Sequence, residues 1–350
     1  MKKISLILAI LTVLTILCSC REKVDESLFS YEAPDTSGPE DAGTYYYGFT
    51  YIKYEGSHIA ISDYNGADKN MNIPAEINGL PVTEIIEKAF EDNDYVTSVT
   101  IPESVVKIGA DAFSDCSALG SVTVKGASLK TVGDHAFFNT PYLTGNTEEF
   151  LIIGDGILID YSGSSDSASV PEGVKMISGA FENEASLTQI TLPESLTSIG
   201  GYSFNGCLNL KSVNIPSSVT EIGQWAFAKC AALESITLPD SVTSIGPKCF
   251  LLCEGLKDVT ISAGIKGIPN SAFQSCRSLT EVTLPSSVIS IDENAFIRCS
   301  SLESVNIEGD LISIGPLAFS ECSAGLTVCS AAGSYAEEYC GNYGIAFTAK

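Results

Sequence analysis

The chain has 350 residues, of which 19 are lysine or arginine and 43 aspartate or glutamate, giving a formal net charge of −24. No basic patch of any length interrupts that balance, which excludes nucleic acid as a partner class, and a hydrophobic content of 45% with 18% charged residues excludes wholesale disorder. Only His58 and His135 are available for imidazole chemistry, so histidine-based catalysis or a shared histidine metal site fits poorly.

Lys2 and Lys3 precede an apolar run from Ile4 to Leu17 that ends in Leu17-Cys18-Ser19-Cys20. Residues 1–19 therefore read as a secretory leader, with an apolar stretch shorter than the roughly 20 residues that a spanning helix needs. The Leu-x-Ser-Cys ending resembles the bacterial lipobox, with Cys18 a slight departure from its usual second residue. That resemblance implies cleavage before Cys20 and lipidation of that cysteine; the alternative is an ordinary leader cut elsewhere. The expectation is an exported protein, lipid-anchored and surface exposed, that touches the membrane through its lipid alone. Residues 20–44 are acidic, carry Pro34, Gly38, Pro39 and Gly43, and lack sustained periodicity, which predicts a flexible tether.

Beyond the tether the chain repeats. Phenylalanine recurs at 181, 204, 227, 250, 273, 296 and 319, always 23 residues apart, after earlier members at Phe90, Phe113 and Phe137. A representative unit runs Leu233-x-x-Ile236-x-Leu238-Pro239-x-Ser241-Val242-x-x-Ile245-Gly246-x-x-Cys249-Phe250-x-x-Cys253. Its first part alternates apolar and polar residues, the period of a strand with one buried face. Proline follows at 193, 216, 239 and 285, where it ends pairing without removing a donor from the strand interior. A second short extended segment comes next, and then an Ala-Phe-x-x-Cys portion at helical spacing. Each 23-residue unit thus predicts a β-strand, a short extended segment and a short helical turn, stacked into a repeat solenoid capped at both ends.

These residues resemble the BspA-type leucine-rich-repeat family of bacterial surface proteins, over roughly Tyr45 to Lys350. In ordinary leucine-rich repeats an asparagine follows the strand; here Ser104, Ser195, Ser218, Ser241 and Ser287 hold that column, and a hydroxyl can bond backbone similarly. The resemblance implies a leucine-rich-repeat-like fold and, by analogy, adhesion to host matrix or cell-surface protein. Residues 45–83 are expected to form an N-terminal cap and 84–322 the solenoid. Asp63-Tyr64-Asn65-Gly66 and Asp160-Tyr161-Ser162-Gly163 lead with equal separation to Ile73-Pro74 and Val170-Pro171, so one element is used twice. The second use accompanies a hairpin, inserted at 141–168 and bulging from the array, between the runs Phe150 to Ile153 and Ile157 to Ile159. Residues 323–350 read as a C-terminal cap with a helix from Ser334 to Tyr343 and a strand from Ile345 to Thr348.

Cys116, Cys207, Cys230, Cys253, Cys276, Cys299 and Cys322 share one column, spread along the solenoid axis and not converging as four zinc ligands would; they read as small buried hydrophobes. Cys329 and Cys340 lie in the cap, where an exported protein could hold a disulfide. The outward strand positions Gln189, Thr191, Ser212, Asn214, Ser235, Thr237, Asp258 and Thr260 continue a polar, hydroxyl-rich face, either a binding surface on the concave side or simply good exposed strand residues. His135, Tyr202, Trp225 and Lys248 share the column two residues before the phenylalanine, and suggest a stacking platform for a sugar, a protein anchor, or plain packing. Glu91, Asp92 and Asp94 read as a solvated corner, since no EF-hand loop surrounds them. No catalytic motif, metal site or cofactor signature is found. The expected function is non-enzymatic recognition of a protein ligand, with glycan capture by an accessory lipoprotein as the alternative.

Overall fold

The computed structural model describes residues 41–54 and 56–350. The leader, Cys20 and residues 20–40 of the expected tether lie outside them. A strand already begins at Asp41, ahead of the tether's expected end at residue 44.

The units build a β-solenoid with two columns of short parallel strands. Strands Gln189–Thr191, Ser235–Thr237 and Asp258–Thr260 belong to the first column, and Ser198–Ile199, Glu221–Ile222 and Ser244–Ile245 to the second. Pairing keeps the repeat in register, with Ser235 beside Asp258, Ile236 beside Val259 and Thr237 beside Thr260. Alternation sends Ile236 into the core and leaves Ser235 and Thr237 in solvent, as a half-buried strand requires.

The third segment differs from the expected helical turn. Around Phe227 it consists of successive β-turns, closed by Ala228 N–H to the Trp225 carbonyl (3.1 Å) and Cys230 N–H to the Phe227 carbonyl (3.2 Å). The intervening N–H groups point along the solenoid axis. Those of Trp225, Phe227 and Lys229 donate to the carbonyls of Pro247, Cys249 and Leu251 in the next unit, at 3.0, 2.8 and 2.7 Å. A helix would consume these donors internally; left-handed φ values of 57° at Trp225 and 61° at Lys229 turn them outward instead.

The core is a ladder of phenylalanine rings. From Phe181 to Phe319 successive rings lie 5.1 to 5.5 Å apart and nearly parallel, and Phe90, Phe113 and Phe137 form a shorter ladder at 4.7 and 5.3 Å. Beside the rings runs the cysteine column. Each thiol donates to the phenylalanine carbonyl 26 residues earlier, at 3.0 to 3.3 Å from Cys116 through Cys322, so these residues hydrogen-bond as well as fill space. Burial pushes the Cys253 thiol up to about 12. In the serine column, Ser195, Ser218 and Ser241 donate to the carbonyls of Val174, Leu196 and Val219 at 2.6 to 2.8 Å. The Ser104 and Ser287 hydroxyls find no partner among the described residues. A glycine after the second strand is a steric demand: a Cβ on Gly246 would strike the backbone nitrogen of Gln224.

Two starter elements open two arrays. Antiparallel strands Asp41–Tyr46, Phe49–Tyr54 and His58–Tyr64 lead into the parallel column through Leu80–Ile85. The hairpin of Phe150–Ile153 and Ile157–Tyr161 does the same through Met176–Ile177. In each case a tyrosine ring, Tyr64 or Tyr161, lies over a glycine two residues on, Gly66 or Gly163, where a Cβ would strike the phenol. The two tyrosines then face the first rings of the two ladders, Tyr64 to Phe90 at 6.2 Å and Tyr161 to Phe181 at 4.8 Å. The hairpin does not bulge from the solenoid. Ile153, Ile157, Leu158, Ile159 and Tyr161 are all buried, and strand Ile157–Tyr161 divides its side chains between the two core clusters, Ile157 and Ile159 on one and Leu158 and Tyr161 on the other.

At the far end, helix Tyr335–Tyr343 starts at the Ser334 cap and stops at Gly344 in the left-handed conformation. Tyr339 meets Phe319 edge-on at 6.1 Å and closes the ladder. The last strand, Ala346–Ala349, pairs in parallel with Thr327–Ser330.

Candidate functional site

The outward face of the first column is as the alternation requires. Gln189, Thr191, Ser212, Asn214, Ser235, Thr237, Asp258 and Thr260 are all exposed, and their strands stack in register. Asp258 and Thr260 continue with Glu281 and Thr283 into a shallow groove that also meets Glu308. Lysine and arginine are missing from these outward positions, so the face offers hydroxyls, amides and carboxylates only.

The four residues of the other column come together. The Tyr202 and Trp225 rings are parallel within 9° at 5.9 Å, and the Lys248 ammonium sits 4.6 Å from the Trp225 ring centre, a cation–π contact. His135 reaches Tyr202 at 4.1 Å, although the column position between them belongs to Gly179, which has no side chain to intervene. All four hold left-handed backbone, with φ from 55° to 59°. Glycine or asparagine would fit there with less strain, and a bulky residue costs on the order of 1–2 kcal/mol. Trp225 has a neighbour on each side along the axis, Tyr202 from the preceding turn and Lys248 from the following one, so the rings present mainly their edges to solvent.

Sequence reasoning missed the groups that bind this stack to the rest. His135 Nε2 pairs with Glu182 Oε2 at 2.8 Å, and Glu182 Oε1 accepts from Asn205 at 2.9 Å. Phe138, 46% exposed, packs on His135 at 4.9 Å. Burial opposes the charge on His135, but the Glu182 hydrogen bond and the carboxylates of Glu182, Asp111 and Asp134 outweigh it and raise its pKa. The sequence marked the place of this joint through the 24-residue step from Phe113 to Phe137 and the 44-residue step from Phe137 to Phe181, but not its contacts.

Cys329 and Cys340, the pair that could hold a disulfide, are not linked in the structure. Val328 and Ser330 take the buried positions of their strand, so Cys329 faces outward, while Cys340 is buried on the inner side of the helix. Among the described residues no group of three metal-capable side chains converges, and no helix is long and apolar enough to cross a membrane.

The family model for the BspA type leucine rich repeat region matches in six copies, over residues 83–210, 174–299 and 266–340. A leucine rich cell surface protein from Faecalibacterium prausnitzii is 26% identical, with 85% of this chain and 96% of that one covered and a TM-score of 0.36. A leucine-rich repeat protein from Bacteroides ovatus is 24% identical, with 88% and 99% covered and a TM-score of 0.44. No curated protein matches the chain. With the matched segments running from residue 83 to residue 340, the chain belongs to the BspA-type leucine-rich-repeat family.

Proposed function

We propose that this protein is a non-enzymatic, adhesin-like recognition module of the bacterial cell surface, held to the envelope by a lipid on Cys20 and binding a host matrix or cell-surface protein. The observation that carries the reading is the long outward face of the first column, exposed at every alternate position from Gln189 to Thr283 and paired in register within its successive sheets. Membership of the BspA-type family points the same way. A flat polar face suits a protein partner that supplies complementary donors, lysine and arginine in particular, opposite Asp258 and Glu281. Surface charge of this kind acts on encounter rate and specificity more than on raw affinity.

The test is a binding screen of the chain from residue 21 onward against matrix proteins and polysaccharides. A protein hit that weakens in Asp258→Lys and Glu281→Lys, and whose on-rate falls with salt, supports the reading. A chain that binds no matrix protein or cell surface is not an adhesin. A sugar stacked on Trp225 is the weaker alternative, because the indole already has Tyr202 and Lys248 against it. Anchoring is tested separately: Cys20→Ala abolishes fatty-acid labelling if the lipid is there.

A further inference from the structure

Between the two arrays the second strand column is broken. Strand Thr131–Val132 pairs with Lys107–Ile108 behind it and with no strand ahead. Two side contacts pin its free edge. The Ser178 hydroxyl donates to the Val132 carbonyl at 3.0 Å, and the Asp155 N–H at the hairpin tip donates to the Leu129 carbonyl at 2.8 Å. Between these two pins the strand stands off from the second array, and a crevice of about 540 Å³ remains.

The crevice is braced open. Asp134 spans it, accepting from the Gly201 N–H at 2.8 Å and from the Gln224 amide at 3.0 Å. Lys175 and Asp155 pair at 2.7 Å on another wall. Gly201 belongs to the brace, since a Cβ there would strike the Asp134 carboxylate. Elsewhere the repeat packs unit on unit; here five polar contacts hold a void that hydrophobic packing alone would have closed.

Once the braces are subtracted, the uncommitted groups on the walls are the Lys130 ammonium, the Glu221 carboxylate and the hydroxyls of Thr131 and Ser198. None of these four side chains has a side-chain partner among the described residues, and Lys130, Thr131 and Glu221 are exposed. They supply donors and acceptors in similar number. The charged lining residues, Lys130 and Lys175 against Asp134, Asp155 and Glu221, leave one net negative charge. A phosphate or carboxylate ligand would meet one free cation and an excess of carboxylates. A planar heterocycle would find only Met176, Val132 and Ile199 as apolar surface. A molecule that is uncharged, carries many hydroxyls and both gives and accepts hydrogen bonds fits without that conflict.

We infer that the joint crevice is a binding site for a neutral mono- or disaccharide. No residue of the outward strand face lines the crevice, and of the Trp225 stack only the chain neighbours Asp134, Gly201 and Gln224 do, so the inference stands or falls independently of the protein-binding reading.

The experiment titrates the chain from residue 21 onward with maltose, cellobiose, lactose, N,N′-diacetylchitobiose and a glucuronate-containing disaccharide, read by calorimetry and by ligand-observed NMR. At least one neutral member is expected to bind. The Lys130→Ala, Glu221→Gln double variant, which changes two exposed side chains, weakens that binding roughly tenfold or more, while Trp225→Ala and Thr237→Ala leave it unchanged. Three results overturn the inference: no neutral disaccharide binds at millimolar concentration, the glucuronate is preferred, or the double variant binds as the parent does.

Discussion

Phe250 is the most direct test of the ladder. Its ring is fully buried, 5.5 Å from Phe227 and 5.2 Å from Phe273. Burying such a side chain contributes roughly 1.5–3 kcal/mol. Phe250→Ala loses that and leaves a cavity that cannot close, because the flanking residues are fixed by turn bonds from Phe227 to Cys249 and from Phe273 to Ala295, each 2.8 Å. The expected loss is about 4 kcal/mol. Phe250→Leu, which retains most of the volume, should lose about 1.5 kcal/mol. Thr260→Ala on the exposed face should stay within about 0.5 kcal/mol. Urea unfolding followed by the fluorescence of Trp225, one unit away and the single tryptophan, and by far-ultraviolet circular dichroism measures all three. In a quasi-one-dimensional array the damage concentrates at the neighbouring interfaces, so the tryptophan transition should shift at least as far as the dichroism. A loss below about 1 kcal/mol for Phe250→Ala, within reach of a surface substitution, would refute the ladder as the packing axis.

Further outcomes follow from the joint, the thiols and the glycines. The folded pKa of His135 is raised above 6.5, so its stabilising contribution is complete below that value and is lost as pH rises through the higher folded one. Urea midpoints at pH 5.5 and 8.5 should therefore fall more steeply for the parent than for His135→Gln; equal slopes would remove the Glu182 pair as a stabilising contact. In native protein an aromatic disulfide reagent should label Cys329 first, with Cys116 and Cys207 protected by burial and by thiols raised to about 11 and about 12. Mass spectrometry under non-reducing conditions should find Cys329 and Cys340 unlinked, and a linked peptide pair would contradict their placement on opposite sides of the strand. Gly246→Ala should cost about 2 kcal/mol through collision with the Gln224 backbone. Gly120→Ala, where nothing lies within 4 Å, should be neutral by the same melt.

Sequence periodicity made the array legible because burial in a solenoid is one-dimensional: each column needs one residue type, and Phe, Leu and Ile recur at the same step. The outward face was legible for the same reason, since alternation around Ile236 leaves Ser235 and Thr237 no other side to occupy. The turn was misread because Ala-Phe-x-x-Cys spacing suits a helical face and a pair of consecutive β-turns equally; only the destination of the N–H groups separates them. The place of the joint was legible but its contacts were not. His135 meets Tyr202 across a whole hairpin, and Asp134 meets Gln224 across 90 residues, contacts that depend on how many turns intervene and on the missing side chain of Gly179. The cysteine bonds escaped notice because a thiol column reads as apolar filling until the carbonyl 26 residues back is seen within reach.

The second tyrosine-over-glycine starter has a consequence for growth. Simple duplication of 23-residue units lengthens a solenoid but repeats one surface, whereas duplication of a starter with its units also creates a new seam. Each seam breaks a strand column and brings together side chains from two modules that no single unit contains. In such a lineage, added units extend reach, and added seams create distinct pockets.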